Sequence, residues 1–311
     1  MKEYDQILGL GKVSPEIMKR SVFPLLPLAH ASELDGGKLQ PKGDLVIAHS
    51  PSIGVPLKPL GFFAFHYAAA NVAAKFAVPR HLIVGIYLPL QSTERDLRTI
   101  VGALGVELHK YGATVAAGQT ATYAGIEIPL LTATCMGEQI RTPRKPYEGD
   151  IVCAIGEVGG EALWLKSLSE RVDGDVWRDF TPLPAILSLQ EAEPVVLMHD
   201  VSEGGVKRAL YEVAADLNMR LNVESDRFRL VKGVEGLGED PLRLPTYGSL
   251  MVLVGCDGVS EVEEICDKME TPFSVVGEVS DGAGLYLDGV EVEIMERIVA
   301  DDLYGSFKGF S

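Results

Sequence analysis

Between Arg141 and Asp150 the chain reads RTPRKPYEGD, with two prolines and no hydrophobic period. A segment of this kind cannot continue a helix or a central strand, so it marks a break between two folding units. On both sides, short apolar runs of strand length alternate with stretches whose apolar residues recur at helical spacing. The chain therefore reads as an α/β protein of the α+β kind, with two domains at residues 1–141 and 150–311. Its 311 residues are too many for most single cores, and 47% hydrophobic against 23% charged residues supply two interiors. Mixed sheets with helices on one face suit both halves better than one long parallel sheet.

The first half opens at Ser14-Pro15-Glu16: a capping hydroxyl, a proline at the first helical position and an acid for the helix dipole. Leu45–His49 and His81–Leu88 read as strands. Phe62, Phe65, Ala69, Val72, Ala73 and Phe76 line a helix that Pro79 ends, and its aromatic residues suit packing on a sheet or a dimer partner. Thr93 and Asp96 form a capping box before Leu97, Ile100, Val101, Leu104 and Leu108. Two further strands flank an expected loop at Gly118-Gln119-Thr120. In the second half, strands are expected at IVCAI, VVLM, SLMVLVG, FSVVGEV, LYL and VEVEI. Helices are expected around Trp164, near Leu183–Ala192, from Val206, and over Val259–Met269.

Charge excludes one class of partner. A formal net charge of −16 opposes binding to a phosphate backbone, so no nucleic acid is expected. The one dense basic cluster, Arg141, Arg144 and Lys145, sits among prolines and reads as a solvated linker. The greasiest stretch, Phe62–Phe76, is too short to cross a bilayer and is interrupted by His66, Asn71 and Lys75. The N-terminus lacks the apolar stretch of a signal peptide, and four unpaired cysteines without a C-x-x-C fit a reducing compartment. A cytoplasmic protein with no membrane association is expected.

The segment with most chemical content is VLMHDVSEGGVKRALYEVA, Val196–Ala214. An apolar strand runs into His199-Asp200-Val201-Ser202-Glu203, then Gly204-Gly205, then an amphipathic helix. Paired glycines let the backbone approach a ligand, and the amides of a helix start point at anions. Asp200 and Glu203 could take a metal or orient a substrate; an ordinary strand-to-helix turn capped by Ser202 or Glu203 accounts for the pattern equally well.

This segment resembles the H-D-x-T-x-G-G signature of the AIR synthase-like superfamily, and closest are archaeal HypE-like, AIR synthase-related proteins. LGKVSPEIMKRSVFPLL, HYAAANVAAKFAVPRHLIVGIYLP and GEDPLRL are similar to further stretches of that group, in the same order along the chain. The resemblance implies an N-terminal mixed sheet with helices that pairs into a dimer barrel, and a sandwich-like C-terminal α/β domain. It implies a homodimer formed mainly by strands of the N-terminal domain. ATP with magnesium is implied as cofactor, with phosphoryl transfer to an oxygen of a small molecule as chemistry. Carried onto this sequence, the cofactor positions are Asp35, Ser50, Asn71, Gly118, Gln119, Thr120, Gly204 and Gly205, with Asp35 the remaining metal ligand. Asp200, Glu203 and His49 take the catalytic places.

The departures are concentrated where the family has acids. Pro51 follows His49-Ser50, Val72 follows Asn71, and Gln119 stands in the loop position. Proline and valine side chains cannot ligate a cation, and Gln119 offers one neutral oxygen. The chain ends LYGSFKGFS, without the terminal cysteine of maturation-type members. Two functions stay open: an ATP-dependent enzyme with a rearranged site, or a ligand- or partner-binding homologue that keeps fold and dimer without catalysis.

Overall fold

The computed structural model describes residues 4–29, 39–170 and 175–293. The chain divides into two compact units, Met1–Ala73 with Ala77–Ile140, and Ala74–Phe76 with Arg141–Ser311. Each is built on one mixed sheet, so the α/β class holds.

The first unit runs β1 (Gly11–Lys12), α1 (Pro15–Ile17), β2 (Leu45–Ile53), α2 (Leu57–Ala73), β3 (Ala77–Leu88), α3 (Glu94–Lys110), β4 (Thr114–Thr122) and β5 (Leu130–Gln139). The sheet order is β1-β4-β3-β5-β2. Parallel β3 and β4 are joined through α3, and the other neighbours are antiparallel. The capping box at the start of α3 forms as its spacing predicts: Asp96 accepts from the Thr93 amide at 2.8 Å, and Thr93 Oγ1 accepts from the Asp96 amide at 3.2 Å.

Helix α2 is buried almost all round, because it packs on the strands as well as on α3. Gly61 permits the helix crossing: a Cβ there would lie 2.2 Å from the Ile100 carbonyl oxygen. Phe62, Phe63 and Phe65 are all buried, as is His66, whose Nε2 meets Glu107 Oε2 of α3 at 3.0 Å. The aromatic residues are thus consumed by the interior of their own unit, and they supply no exposed dimer surface.

Two local expectations need correction. Strand β3 starts at Ala77 and includes Pro79, which faces Gly137 of β5 before the ladder to β4 begins at His81. A proline is tolerated there because one side of the strand is still unpaired. Gly118, Gln119 and Thr120 lie inside β4 rather than in a loop.

The second unit runs β6 (Ile151–Ile155), α4 (Gly160–Ser169), α5 (Leu183–Leu189), β7 (Val195–Asp200), α6 (Gly205–Leu217), β8 (Arg220–Val223), β9 (Leu250–Val254), α7 (Val259–Lys268), β10 (Phe273–Ser280), β11 (Gly284–Leu287) and β12 (Val290–Glu291). Its order is β12-β11-β8-β10-β6-β9-β7. Val206, Ala209, Leu210 and Val213 of α6 pack with Val152 and Ala154 of β6. Cys153, between those two, must point to the opposite face, where its electrostatic neighbours are Cys266 and Glu263 of α7. Helices therefore cover both faces of this sheet, where the sequence suggested one. The four-residue strand β8 was too short to stand out in the sequence.

The basic cluster is ordered. Arg141 donates 2.7 Å hydrogen bonds to the carbonyls of Gln190, Ala192 and Val195 and lies 4.1 Å from the centre of the Phe76 ring. Arg144 forks onto fully buried Asp150 at 2.6 and 2.9 Å. These guanidiniums are structural ties, so the expected solvated linker is corrected. No helix among the described residues is long and apolar enough to cross a membrane.

Candidate functional site

Strand alternation decides what the candidates of the first unit can do together. His49 pairs with Thr134, which pairs with Ile83; one row along, Pro51 pairs with Thr132, then Gly85, then Gln119. Residues paired in register share a face, so His49 and Gln119 stand on the same side of the sheet. They are three strands apart, or about 14 Å at ordinary strand spacing. His49 Nδ1 meets Thr134 Oγ1 at 2.8 Å, and Gln119 donates to the Tyr123 hydroxyl at 2.9 Å. This face carries exposed Leu45, Ile47, Ile53 and Ile83.

Ser50 and Gly118 belong to the row between, on the face where α2 packs over β2, β3 and β5; Gly118, on β4, is exposed. Asn71 of α2 donates to Ser50 Oγ at 3.5 Å and to the Tyr67 carbonyl at 3.0 Å. Thr120 is buried and its carbonyl accepts from Val13 at 3.0 Å. The structure thus brings Ser50 and Asn71 together and leaves His49 and Gln119 on the other face. Asp35 lies outside the described residues.

Magnesium fits poorly here. Val72, at a place where the family has an acid, is wholly buried, and its Cγ1 fills the space a side chain at Gly137 would need, 2.6 Å from an ideal Cβ. Among the described residues, no group of three or more His, Cys, Asp or Glu side chains could hold a metal ion.

The second unit keeps a more complete arrangement. β7 delivers Asp200 to a turn in which Val201 is buried while Ser202 and Glu203 are exposed. Gly205 has φ +66°, and a Cβ would stand 2.6–2.7 Å from the backbone of Leu242, Arg243 and Leu244. Only glycine satisfies both conditions. Gly204 is less confined: its φ of −85° suits any residue, but a Cβ would lie 2.4 Å from Arg208 Cβ. The start of α6 has no side-chain cap; the Gly205 amide donates to the Ser202 carbonyl at 2.9 Å, and the amides that follow it point the way an anion would be met. Burial pushes the Asp200 carboxyl above its usual range; His199 opposes this and Glu212 adds to it. Glu212 in turn is held by Arg208 at 2.5 Å and faces His199 at 3.3 Å.

One acid of this region carried no family signal. Glu161, in the first turn of α4, is 3% exposed, and its Oε2 accepts the Tyr247 amide at 2.7 Å. Burial pushes its carboxyl up to about 7; the Tyr247 amide pulls it down, and Glu203 pushes it further up. The nearest sequence hint is the Gly159-Gly160 pair before it, which reads equally as a plain strand-to-helix turn.

Residues 148–290 match the family model described as AIR synthase related protein, C-terminal domain. The carbamoyl dehydratase HypE of Escherichia coli is 23% identical over 279 residues, 83% of each chain. A thiamine-monophosphate kinase of Pyrococcus horikoshii is 24% identical over 244 residues, 74% of this chain and 73% of the kinase. The solved structure of the hydrogenase maturation protein HypE in complex with ATP superposes with a TM-score of 0.79 at 19% identity, over 95% of this chain and 99% of that one. With the His199–Gly205 turn and its helix seated in the matched segment, this chain belongs to the AIR synthase-like superfamily, of the PurM/HypE type.

Proposed function

We propose that this protein is a HypE-like ATP-site protein that transfers a phosphoryl group to an oxygen of a small molecule. The observation that carries the reading is the Asp200–Gly205 turn, whose two glycines are fixed by contacts a side chain would break. Phosphate would be received by the amides of the first turn of α6 beyond Gly205, whose own amide is taken by the Ser202 carbonyl, with Asp200 and Glu203 orienting the acceptor. Phosphoryl transfer is largely positioning and charge neutralisation. With Val72 and Pro51 in place of acids, backbone amides take a larger share of that neutralisation than a bridging cation. Calorimetric titration with ATP, with and without magnesium, tests this. Weak or magnesium-independent binding is expected; tight binding that collapses on chelation would overturn it.

A second reading has its own support. Val72 sits in the core with no access to a ligand, and Pro51 brings no oxygen to its face. A non-catalytic homologue that binds a ligand or partner would need neither. Nucleotide binding without any turnover across a panel of small-molecule acceptors would favour it.

The homodimer belongs to the same proposal. The open face of the first sheet, with Leu45, Ile47, Ile53 and Ile83 exposed, suits a second copy better than water. Light scattering at micromolar concentration should give twice the 33.5 kDa chain mass; a monomer mass would sink it.

A further inference from the structure

The turn that follows β7 is not held by its own residues alone. The Val201 amide donates to the Ser249 carbonyl at 3.1 Å, and the Thr246 amide donates to the Ser202 carbonyl at 3.4 Å. The turn therefore hangs on the segment Thr246–Ser249. That segment is fixed in its turn by Glu161, through the Tyr247 amide, and by Thr246 Oγ1, which accepts from Gly159 and donates to the Leu244 carbonyl. Glu161 is the one ionisable side chain in this chain of bonds. It is nine-tenths buried or more, and its Oε2 is the oxygen that takes the Tyr247 amide. A buried carboxylate is costly to keep charged.

We propose that Glu161 is a positioning residue that holds the Val201–Gly205 turn through Thr246–Ser249, and that an anionic ligand at this turn binds together with a proton on Glu161. The inference rests on the phosphate-binding reading above for its second half only. Ionised Glu161 grips the Tyr247 amide, because that bond favours the charged form. Among ionisable groups, Glu203 of the turn is the one that acts on it; the segment Thr246–Ser249 contributes the Tyr247 amide, and α4 supplies Glu161 itself. A phosphate arriving beside Glu203 adds negative charge, which favours the protonated form. By linkage, the affinity for the anion must then rise as pH falls through the range where Glu161 titrates.

The test uses the full chain and its Glu161→Gln variant, whose amide oxygen can still accept from Tyr247 but cannot ionise. ATP is titrated calorimetrically between pH 6 and 8.5, in two buffers of different ionisation enthalpy. Wild type should take up as much as one proton per ATP, and its Kd should weaken by up to about tenfold per pH unit beyond the dependence that Glu161→Gln retains. In parallel, amide hydrogen exchange of peptides covering residues 196–206 and 245–250 is followed without ligand over the same pH range. Protection in wild type should increase as Glu161 ionises, and should stay flat in Glu161→Gln after correction for intrinsic rates. ATP binding with the same proton uptake in both proteins would overturn the coupling while leaving the nucleotide reading intact. No ATP binding at any pH would overturn that reading and with it the coupling, while the exchange profile would still decide the positioning role. A wild-type exchange profile without pH dependence in these peptides refutes that role, even if the variant does not fold.

Discussion

Val72 shows how a position can leave a binding site without leaving its place in the sequence. It follows Asn71, as an acid does in the family, yet its side chain is packed against β5 beside Gly137. Changing Val72→Asp would bury an unpaired carboxylate at a cost of about 3–5 kcal/mol. Gln119 is partly exposed on the open face, so Gln119→Asp should change stability by less than about 0.5 kcal/mol. The double variant should therefore melt far below wild type and gain no magnesium-dependent ATP affinity. A well-folded double variant with a magnesium-dependent gain would place Val72 at a ligand after all. Gly205 gives the converse case. Gly205→Ala adds left-handed strain of about 1–3 kcal/mol, besides a clash with the Leu242 and Leu244 carbonyls. Thermal denaturation should show the loss, and ATP titration should show the turn disabled.

At the scale of elements, the pairing of α2 with α3 makes the first unit sensitive to acid. Burial lowers the His66 pKa below that of an exposed histidine, although the bond to Glu107 opposes this. Below about pH 6.5 the unfolded chain binds a proton that the folded helix pair refuses. Stability of this unit is therefore fully present at neutral pH and falls as the medium is acidified. Glu94 at the start of α3 acts in the same sense, because the hydrogen bonds from Arg20, and secondarily Ser21, hold its carboxyl below the usual range. The α4 start in the second unit runs the other way. Folded Glu161 keeps its proton up to about pH 7 whereas an exposed glutamate loses it near 4.5, so stability falls as pH rises between those values. Scanning calorimetry from pH 4.5 to 7.5 should show the His66→Gln variant with a shallower acid loss. Glu161→Gln should relieve the loss toward neutral pH. Unchanged slopes in both variants would deny these groups their part.

For the whole molecule, the exposed apolar row on the first sheet sets the expected assembly. Ile47 and Ile83 are 58% and 41% exposed among the described residues, on neighbouring rows of one face of the sheet. Ile47→Asp with Ile83→Asp should yield a monomer by light scattering, with little loss of secondary structure by circular dichroism. A dimer that survives both changes would move the interface elsewhere.

The sequence alone determined the class of fold and the family. Alternating strand and helix patterns specify local structure through side-chain period, and the stretch HDVSEGG carries its resemblance in contiguous residues. It also determined the capping box at Thr93, because a cap is a contact between residues three apart. Only the tertiary structure decided which candidates meet. The sheet pleat sends Ser50 toward Asn71 and His49 away from it, and neither direction can be known before β2 is placed at the sheet edge. Burial was hidden for the same reason: Phe62–Phe65, Val72 and Glu161 owe their surroundings to elements far along the chain. Glu161 gives the sharpest contrast. An acid after two glycines is commonplace as a string of letters; burial in the folded unit is what pushes its carboxyl up, and the Tyr247 amide that it accepts lies more than eighty residues on.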